Sequence, residues 1–351
     1  MVYFFQSVFE MFQSICAIFQ PSLGRNLFER LYHVKLKRAR VQNSRQSHEV
    51  EAPQPERYKA AAQTGYPEEE LLYEKFAPAA ALHVAQPVIV FLHGGCWVAS
   101  DRNDPHGVHR SFCRALAARG FPVVNANYRL CRQAQNASSG SIGINDQLDD
   151  LAALCKHLVA GDVFSCQKVG LLLVGHSAGG HLVLQAALSG KLHEWETTLR
   201  GLYVLSGVYD LAEFQEKASL FVRHLALSRI PDAQLGRECL RSLSPKYARN
   251  NFANNGGGAA KINKPNDGNA ATLRCPVRLV HGATDGFLLI QAQECVLNLQ
   301  AWKNRASLRI LPRHDHFSIL SVNNKNDDAV LNDLCEFAQD AAHSFVSGKA
   351  I

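Results

Sequence analysis

The stretch VGLLLVGHSAGGHLVLQAAL, Val169 to Leu188, decides how the rest of the chain is read. An apolar run ends at Val174, a serine stands between two glycines at 175 and 179, and helix-forming residues follow from His181. The pattern predicts strand, sharp turn and helix, with Ser177 at the apex, and G-x-S-x-G in that context is a nucleophile elbow. The serine of such a turn sits in a strained backbone conformation, so the positions two before and two after it must be small. Its hydroxyl then stands clear of the strand ends at the positive end of a helix, where a developing oxyanion is stabilised. The plain alternative is a chance match in a glycine- and alanine-rich helix entry, and the remainder of the chain argues against it.

A serine hydroxyl needs a base to take its proton, and the base needs a third group to orient it. Asp285 follows a strand-like run ending at His281, and His316 follows the run Ser307 to Leu311. Both are therefore expected at carboxyl ends of strands, the edge from which Ser177 emerges, in the chain order Ser, acid, His. Asp210 is a rival acid, although its surroundings, Ser206 to Leu211, suit a structural turn; His314 is a rival base, and Asp315 suits a loop-shaping role. The other histidines, His176 included, are expected to be satisfied surface or core residues. A third element is the run FLHGGCW, Phe91 to Trp97, directly after an apolar strand. Backbone amides at Gly94, Gly95 and Ala178 can converge on an oxyanion. Read without the serine, acid and histidine, the same run is an ordinary Gly-Gly turn. No metal-ligand spacing, dinucleotide fingerprint or phosphate loop is present, so neither a metal nor a cofactor is expected.

Around these motifs, strands are expected at 71–76, 87–92, 122–128, 201–205, 276–281 and 307–311. Helices are expected at 106–119, 145–159 with Asn145 as cap, 288–302 and 327–345. Strands alternating with helices give an α/β fold, with a mostly parallel central sheet and helices on both faces. Residues 212–249 suit a small cap over the site, and the Asn- and Gly-rich stretch 250–271 suits a flexible insertion. The hydrolase-like domain is placed at 67–351. Residues 1–66 form an extension, its part from 46 onward a loosely structured lead-in.

The net charge of +6 would suggest nucleic acid only if the basic residues clustered on the body. Seven of them, Arg25, Arg30, Lys35, Lys37, Arg38, Arg40 and Arg45, lie in the extension instead, so no nucleic-acid partner is expected. Residues 2–19 carry a polar stripe of Gln6, Glu10 and Gln13 that predicts an amphipathic helix rather than a signal peptide. That helix is expected to pack on the body, the alternative being weak membrane-surface contact through residues 2–40. Ten scattered cysteines without a C-x-x-C pair suit a reducing, cytoplasmic setting. The oligomeric state is open, a homodimer included.

At these residues the chain resembles the kynurenine formamidase (arylformamidase) family of α/β-hydrolases. The family's H-G-G-Y-W is represented by His93-Gly94-Gly95-Cys96-Trp97, and its G-H-S-A-G-x-H-L by Gly175 to Leu182. Its L-R-G-x-x-x-x-S-G-V-x-D-L is matched from Leu199 to Leu211, and its D-H-F by Asp315-His316-Phe317. The similarity covers about residues 67–340. It implies hydrolysis of N-formyl-L-kynurenine to kynurenine and formate, with Ser177 as nucleophile, Asp285 as acid and His316 as base. Cys96 stands where the family has tyrosine, and Ser318-Ile319-Leu320 replaces the family's usual acidic continuation. Trp97 and Cys96 are candidate substrate contacts, Trp97 as a flat wall, with a core position as the competing reading of the tryptophan. A broader carboxylesterase and an inactive hydrolase-fold binding protein are the alternative functions.

Overall fold

The protein is described by a computed structural model covering residues 53–61, 70–79, 86–134, 140–219, 222–223, 226–248, 272–322 and 328–346. The amphipathic helix and basic segment expected in residues 1–52, and the whole insertion at 250–271, lie outside the described residues.

Eight strands form one sheet: β1 Glu56–Lys59, β2 Glu70–Phe76, β3 Val88–Leu92, β4 Val123–Ala126, β5 Leu171–His176, β6 Leu199–Leu205, β7 Val277–Gly282 and β8 Ala306–Leu311. Their order is β1-β2-β4-β3-β5-β6-β7-β8. The pairs from β4 to β8 are parallel, whereas β1 with β2 and β2 with β4 are antiparallel. The central strands are apolar at nearly every position because both of their faces are covered. Val88, Val90 and Leu92 enter one core with Leu171 and Leu173, while Ile89 and Phe91 enter the other with Leu172 and Val174. The first core is closed by α2 Ile144–Ala160, α3 Ala178–Leu188 and α6 Phe287–Ala301. The second is closed by α1 Val108–Ala118 and α7 Ala329–Val346. After β3 the chain moves outward to β4 and then returns to β5 on the other side, so the carboxyl ends of β3 and β5 flank a topological switch point, where open α/β sheets bind ligands.

Two expectations need correction. The lead-in before residue 67 is ordered at Glu56–Lys59, where β1 extends the sheet, so the domain begins no later than residue 56. One apolar residue suffices there: Tyr58 is 2% exposed and its hydroxyl donates to the Asn127 carbonyl at 2.6 Å. Polar cross-strand pairs do the rest, with Tyr73 donating to Glu56 at 2.6 Å and Lys75 paired with Glu56 at 2.6 Å. The cap of α2 is Gly143, not Asn145. The Asp146 carboxylate accepts from the Gly143 amide at 2.7 Å, and Asp232, from the segment after β6, accepts from the Ile144 amide at 2.7 Å.

The segment after β6 folds into α4 Leu211–Lys217, α5 Arg237–Ser242 and several single turns, in the region expected to be a cap. It packs onto α3: the Gln185 amide donates to the Ser242 carbonyl at 3.2 Å, and His181 bonds the Leu243 carbonyl at 2.8 Å. No helix among the described residues is long and apolar enough to cross a membrane. The nine described cysteines form no disulfides, and Cys275 and Cys295 are buried as expected.

A buried ion pair ties the segment after β4 to α2, and the backbone just after β1 joins it. Asp150 accepts from the Arg129 guanidinium at 2.6 to 3.0 Å, from the Arg129 amide at 3.0 Å and from the Ala61 amide at 3.1 Å. Removing one member of such a pair leaves a desolvated charge without its partner. Asp150→Ala should therefore cost about 3–5 kcal/mol of stability, measured by urea denaturation.

Candidate active site

Strand β5 delivers the serine. Ser177 has φ 54 and ψ −117, a conformation that side-chain-bearing residues rarely adopt, and its amide is held by the Leu205 carbonyl of β6 at 2.8 Å. The flanking glycines are sterically required. A Cβ on Gly175 would lie 2.3 Å from the Gly179 carbonyl oxygen, and one on Gly179 would lie 2.4 Å from the Leu92 carbonyl oxygen. The small-residue expectation thus has a physical cause: β3, β5 and α3 touch backbone to backbone.

The structure brings Ser177, His316 and Asp285 together. His316 Nε2 accepts from the Ser177 hydroxyl at 2.9 Å, and His316 Nδ1 faces Asp285 Oδ1 at 3.4 Å. The second distance is longer than a good hydrogen bond, a common feature of unliganded sites that tighten around substrate. The side chain of His316 is 23% exposed and that of Asp285 fully buried. Burial pushes the Asp285 carboxyl up, but hydrogen bonds from His281 and His316 outweigh it and hold the group well below the usual carboxylate range.

The loop bearing His316 is tethered at three successive residues. The Thr284 hydroxyl donates to the His314 carbonyl at 3.1 Å. Asp315 Oδ1 accepts from the Phe317 and Ser318 amides at 2.9 and 2.7 Å, the loop-shaping role expected of it. The His316 carbonyl accepts from His176 Nε2–H at 2.7 Å. His176 is fully buried, and burial, reinforced by nearby His316, holds it neutral far below its ordinary range. The rivals have other work. Asp210 caps α4, accepting from the Glu213 amide at 3.0 Å, from Tyr247 at 2.8 Å and from Lys246 at 3.2 Å.

The run after β3 lies beside the serine: a Cβ on Gly94 would be 3.0 Å from the Ser177 Cβ. His93 Nδ1–H donates to the Gly94 carbonyl at 2.7 Å, while Tyr128 stacks on the His93 ring at 4.5 Å and donates to the His93 carbonyl at 2.8 Å. In a trans peptide the N–H points opposite the C=O, so pinning the Gly94 carbonyl fixes the direction of the Gly95 amide. Gly95 itself sits at φ +122 and starts the turn that closes through Val98 and Ala99. Ala178 is the first residue of α3, and amides of a first turn have no acceptor within their helix.

Trp97 is not a substrate wall. It is fully buried, edge-on to His181 and Phe214, and its indole N–H donates to His181 Nδ1 at 3.1 Å. A left-handed turn at Cys96 and Trp97, φ 51 and 65, swings the indole into the core. Cys96 is half-buried and rests against the same core.

Sequence reasoning missed the residues around Asp285. Ser206 donates to Asp285 Oδ2 at 2.7 Å, His281 Nδ1–H donates to the same oxygen at 2.8 Å, and Tyr209 bonds His281 Nε2 at 2.9 Å. The signal was present in Ser206 at a strand end and in the i, i+4 spacing of His281 and Asp285. Arg200, prominent in the motif, is structural and donates to the Val169 and Thr197 carbonyls at 3.1 and 2.7 Å. Among the described residues, no cluster of three or more His, Cys, Asp or Glu side chains could hold a metal ion.

The fold has parallels among solved structures. Esterase B from Lactobacillus rhamnosis superposes with a TM-score of 0.62 at 18% identity, over 89% of this chain and 94% of that one. The chain has the α/β-hydrolase fold. The BD-FAE family model matches residues 76–212 of this hydrolase-fold chain, a span that includes the Gly94–Gly95 turn and the elbow. Kynurenine formamidase from Drosophila melanogaster is 30% identical over 139 residues, 38% of this chain and 41% of that protein. Isoprenylcysteine alpha-carbonyl methylesterase from Arabidopsis thaliana is 25% identical over 212 residues, 57% and 43% of the two chains. The matched stretches thus span less than half the length of either relative.

Buried neutral histidines around the α/β-hydrolase site set its acid limit. Burial lowers His93 and His181 from their ordinary value of 6.5 to about 4. The unfolded chain takes up these protons as pH falls past about 6.5, and the folded chain does so only near 4, so stability is lost across that window. Asp285, held low, adds a loss in the same direction below about pH 4. The melting temperature should fall progressively from about pH 6.5 to 4. His93→Gln or His181→Gln should flatten that slope in a differential scanning series.

Proposed function

We propose that this chain is a serine hydrolase that cleaves a small acyl group from an aryl amine, with N-formyl-L-kynurenine as the substrate. The observation carrying the hydrolase reading is the 2.9 Å contact from the strained Ser177 to His316, backed by ionised Asp285. Ser177 Oγ attacks the acyl carbon while His316 Nε2 takes its proton. The carbonyl oxygen, now negative, is held by the amides of Gly94, Gly95 and Ala178. As the C–N bond breaks, His316 returns the proton to the departing amine and the acyl group stays on Ser177. Water then attacks this ester, its proton going to His316 and on to Ser177, and formate leaves. Asp285 keeps His316 oriented and balances its charge throughout.

Two features support a formyl group. Ser177 is 5% exposed, so only a narrow approach reaches it, and formyl is the smallest acyl group. Two kynurenine formamidases are among the related proteins, and the motifs from His93 to Phe317 resemble that family's pattern. A second reading, a broader carboxylesterase, is favoured by the methylesterase relative and the esterase structural neighbours. Cys96 in place of the family's tyrosine, together with a tryptophan that faces the core, gives that reading weight, because neither supplies an aromatic wall.

Ser177→Ala should lower kcat by about 10⁴–10⁶-fold without unfolding the protein and should abolish fluorophosphonate labelling. His316→Ala should be comparably severe and His314→Ala mild. A near-wild-type rate for Ser177→Ala would reject the mechanism. Comparing kcat/KM for N-formylkynurenine with that for short-chain p-nitrophenyl esters separates the formamidase from the carboxylesterase.

A further inference from the structure

Three buried groups converge on Asp285 without touching the reacting atoms. Oδ2 of Asp285 receives two donors, Ser206 Oγ–H at 2.7 Å and His281 Nδ1–H at 2.8 Å. His281, Ser206 and Tyr209 are all fully buried. An ionised carboxylate only accepts, so the proton of His281 must lie on Nδ1, toward Asp285. Its Nε2 is then a bare acceptor, and the Tyr209 hydroxyl, 2.9 Å away, donates to it. Burial holds His281 neutral, against the pull of Asp285 toward the protonated form. Burial also raises the Tyr209 hydroxyl well above its ordinary range, which keeps it a donor. The groups come from different places: Ser206 directly follows β6 at φ 46, Tyr209 lies in the turn beyond it, and His281 lies on β7, four residues before the acid.

We propose that Ser206 and His281 are positioning residues that occupy Asp285 Oδ2 and thereby present Oδ1 to His316, with Tyr209 holding His281 in the tautomer that donates to the acid. The inference rests on the serine-hydrolase reading given above. A carboxylate held by one oxygen alone can swivel about its Cβ–Cγ bond, and a misplaced orienting acid leaves the base in the wrong tautomer or direction. Two donors on Oδ2, one from β7 and one directly after β6, remove that freedom. The 3.4 Å gap from Oδ1 to His316 Nδ1 can then close by movement of the partly exposed imidazole, with the carboxylate fixed. The clamp also draws charge toward Oδ2 and so moderates how strongly Asp285 stabilises protonated His316.

The test uses the full-length protein and whichever of p-nitrophenyl acetate and N-formylkynurenine the wild type turns over, with kcat/KM followed from about pH 5 to 9 and melting temperature recorded for each variant. The charged and titratable groups facing Asp285 and His316 are His176 from β5, Tyr209 from the turn after β6, His281 from β7 and Asp315 from the base loop. All but those substituted stay constant across the series. His281→Phe should lower kcat/KM by about 10²-fold, the scale of a small misplacement at a reacting centre. It should also move the acid limb of the profile upward by about half a pH unit, because Asp285 no longer shares its charge with Nδ1–H. His281→Asn, whose Nδ2 can replace Nδ1–H, should recover most of the rate and return the limb toward wild type. Ser206→Ala should give a smaller loss, about 10-fold, with a shift in the same direction.

A folded His281→Phe with wild-type rate and an unmoved limb overturns the proposal. So does a rate loss shared equally by Phe and Asn with an unmoved limb, since that is a packing defect. If His281→Phe does not fold, Ser206→Ala decides: a wild-type rate and profile there overturn the clamp. The hydrolase reading fails separately. In that case wild type is not labelled by fluorophosphonate, or Ser177→Ala stays active, whereas an inert clamp leaves both controls as expected.

Discussion

Backbone contact between Gly179 and the end of β3 governs the whole site. With a Cβ excluded at 2.4 Å from the Leu92 carbonyl, α3 can begin directly against the strand that leads into Gly94 and Gly95. This fixes the separation between Ser177 and the amides of Gly94 and Gly95. Every other part of the site is measured from that contact: the strained φ of Ser177, the stacking of Tyr128 on His93, and the reach of His316 from beyond β8 to the end of β5. Such close packing demands that the neighbouring strands be almost wholly apolar, because no water can serve their polar groups at that distance.

Around Ser177 the protein buries several histidines and orients each through a directed hydrogen bond. His176 gives its proton to the base loop, His93 to the Gly94 carbonyl, and His281 to Asp285, so each neutral imidazole acts as a directed donor. These bonds specify orientation more than they add stability. A buried network is valuable while complete and costly when one member is lost.

Much of this architecture is present in local sequence. Short apolar runs such as Pro87–Leu92 and Val169–Val174, with turn signals after them, read as buried strands, and the elbow places Ser177 because strand, glycine and helix signals coincide there. The carboxyl-edge rule then selects Asp285 and His316 from many acids and histidines. What sequence could not resolve is tertiary in origin. Glu56–Lys59 carries one apolar residue and depends on partners in β2, so it has no local strand signature. Asn145 is a good cap by type, yet Asp232, far along the chain, fixes the helix start two residues earlier. Trp97 lies beside the glycines in sequence, and only the left-handed turn shows that its ring faces the core. His281 and Ser206 are ordinary residues until three-dimensional packing brings them to one oxygen.

The site draws on the ends of β3, β5, β6, β7 and β8, from His93 to His316, and the last of these strands is also the last to be made. A chain emerging during synthesis can therefore build the elbow long before it has a base. Closing loops of such span is slow compared with forming helices and neighbouring strands. Assembly of the full site is consequently a late event, reached when β8 docks on β7 and the loop bearing His316 is captured by His176 and Thr284. A complete Ser177–His316–Asp285 array therefore reports that folding is finished, and a truncated or misfolded product carries a serine that has nothing to take its proton.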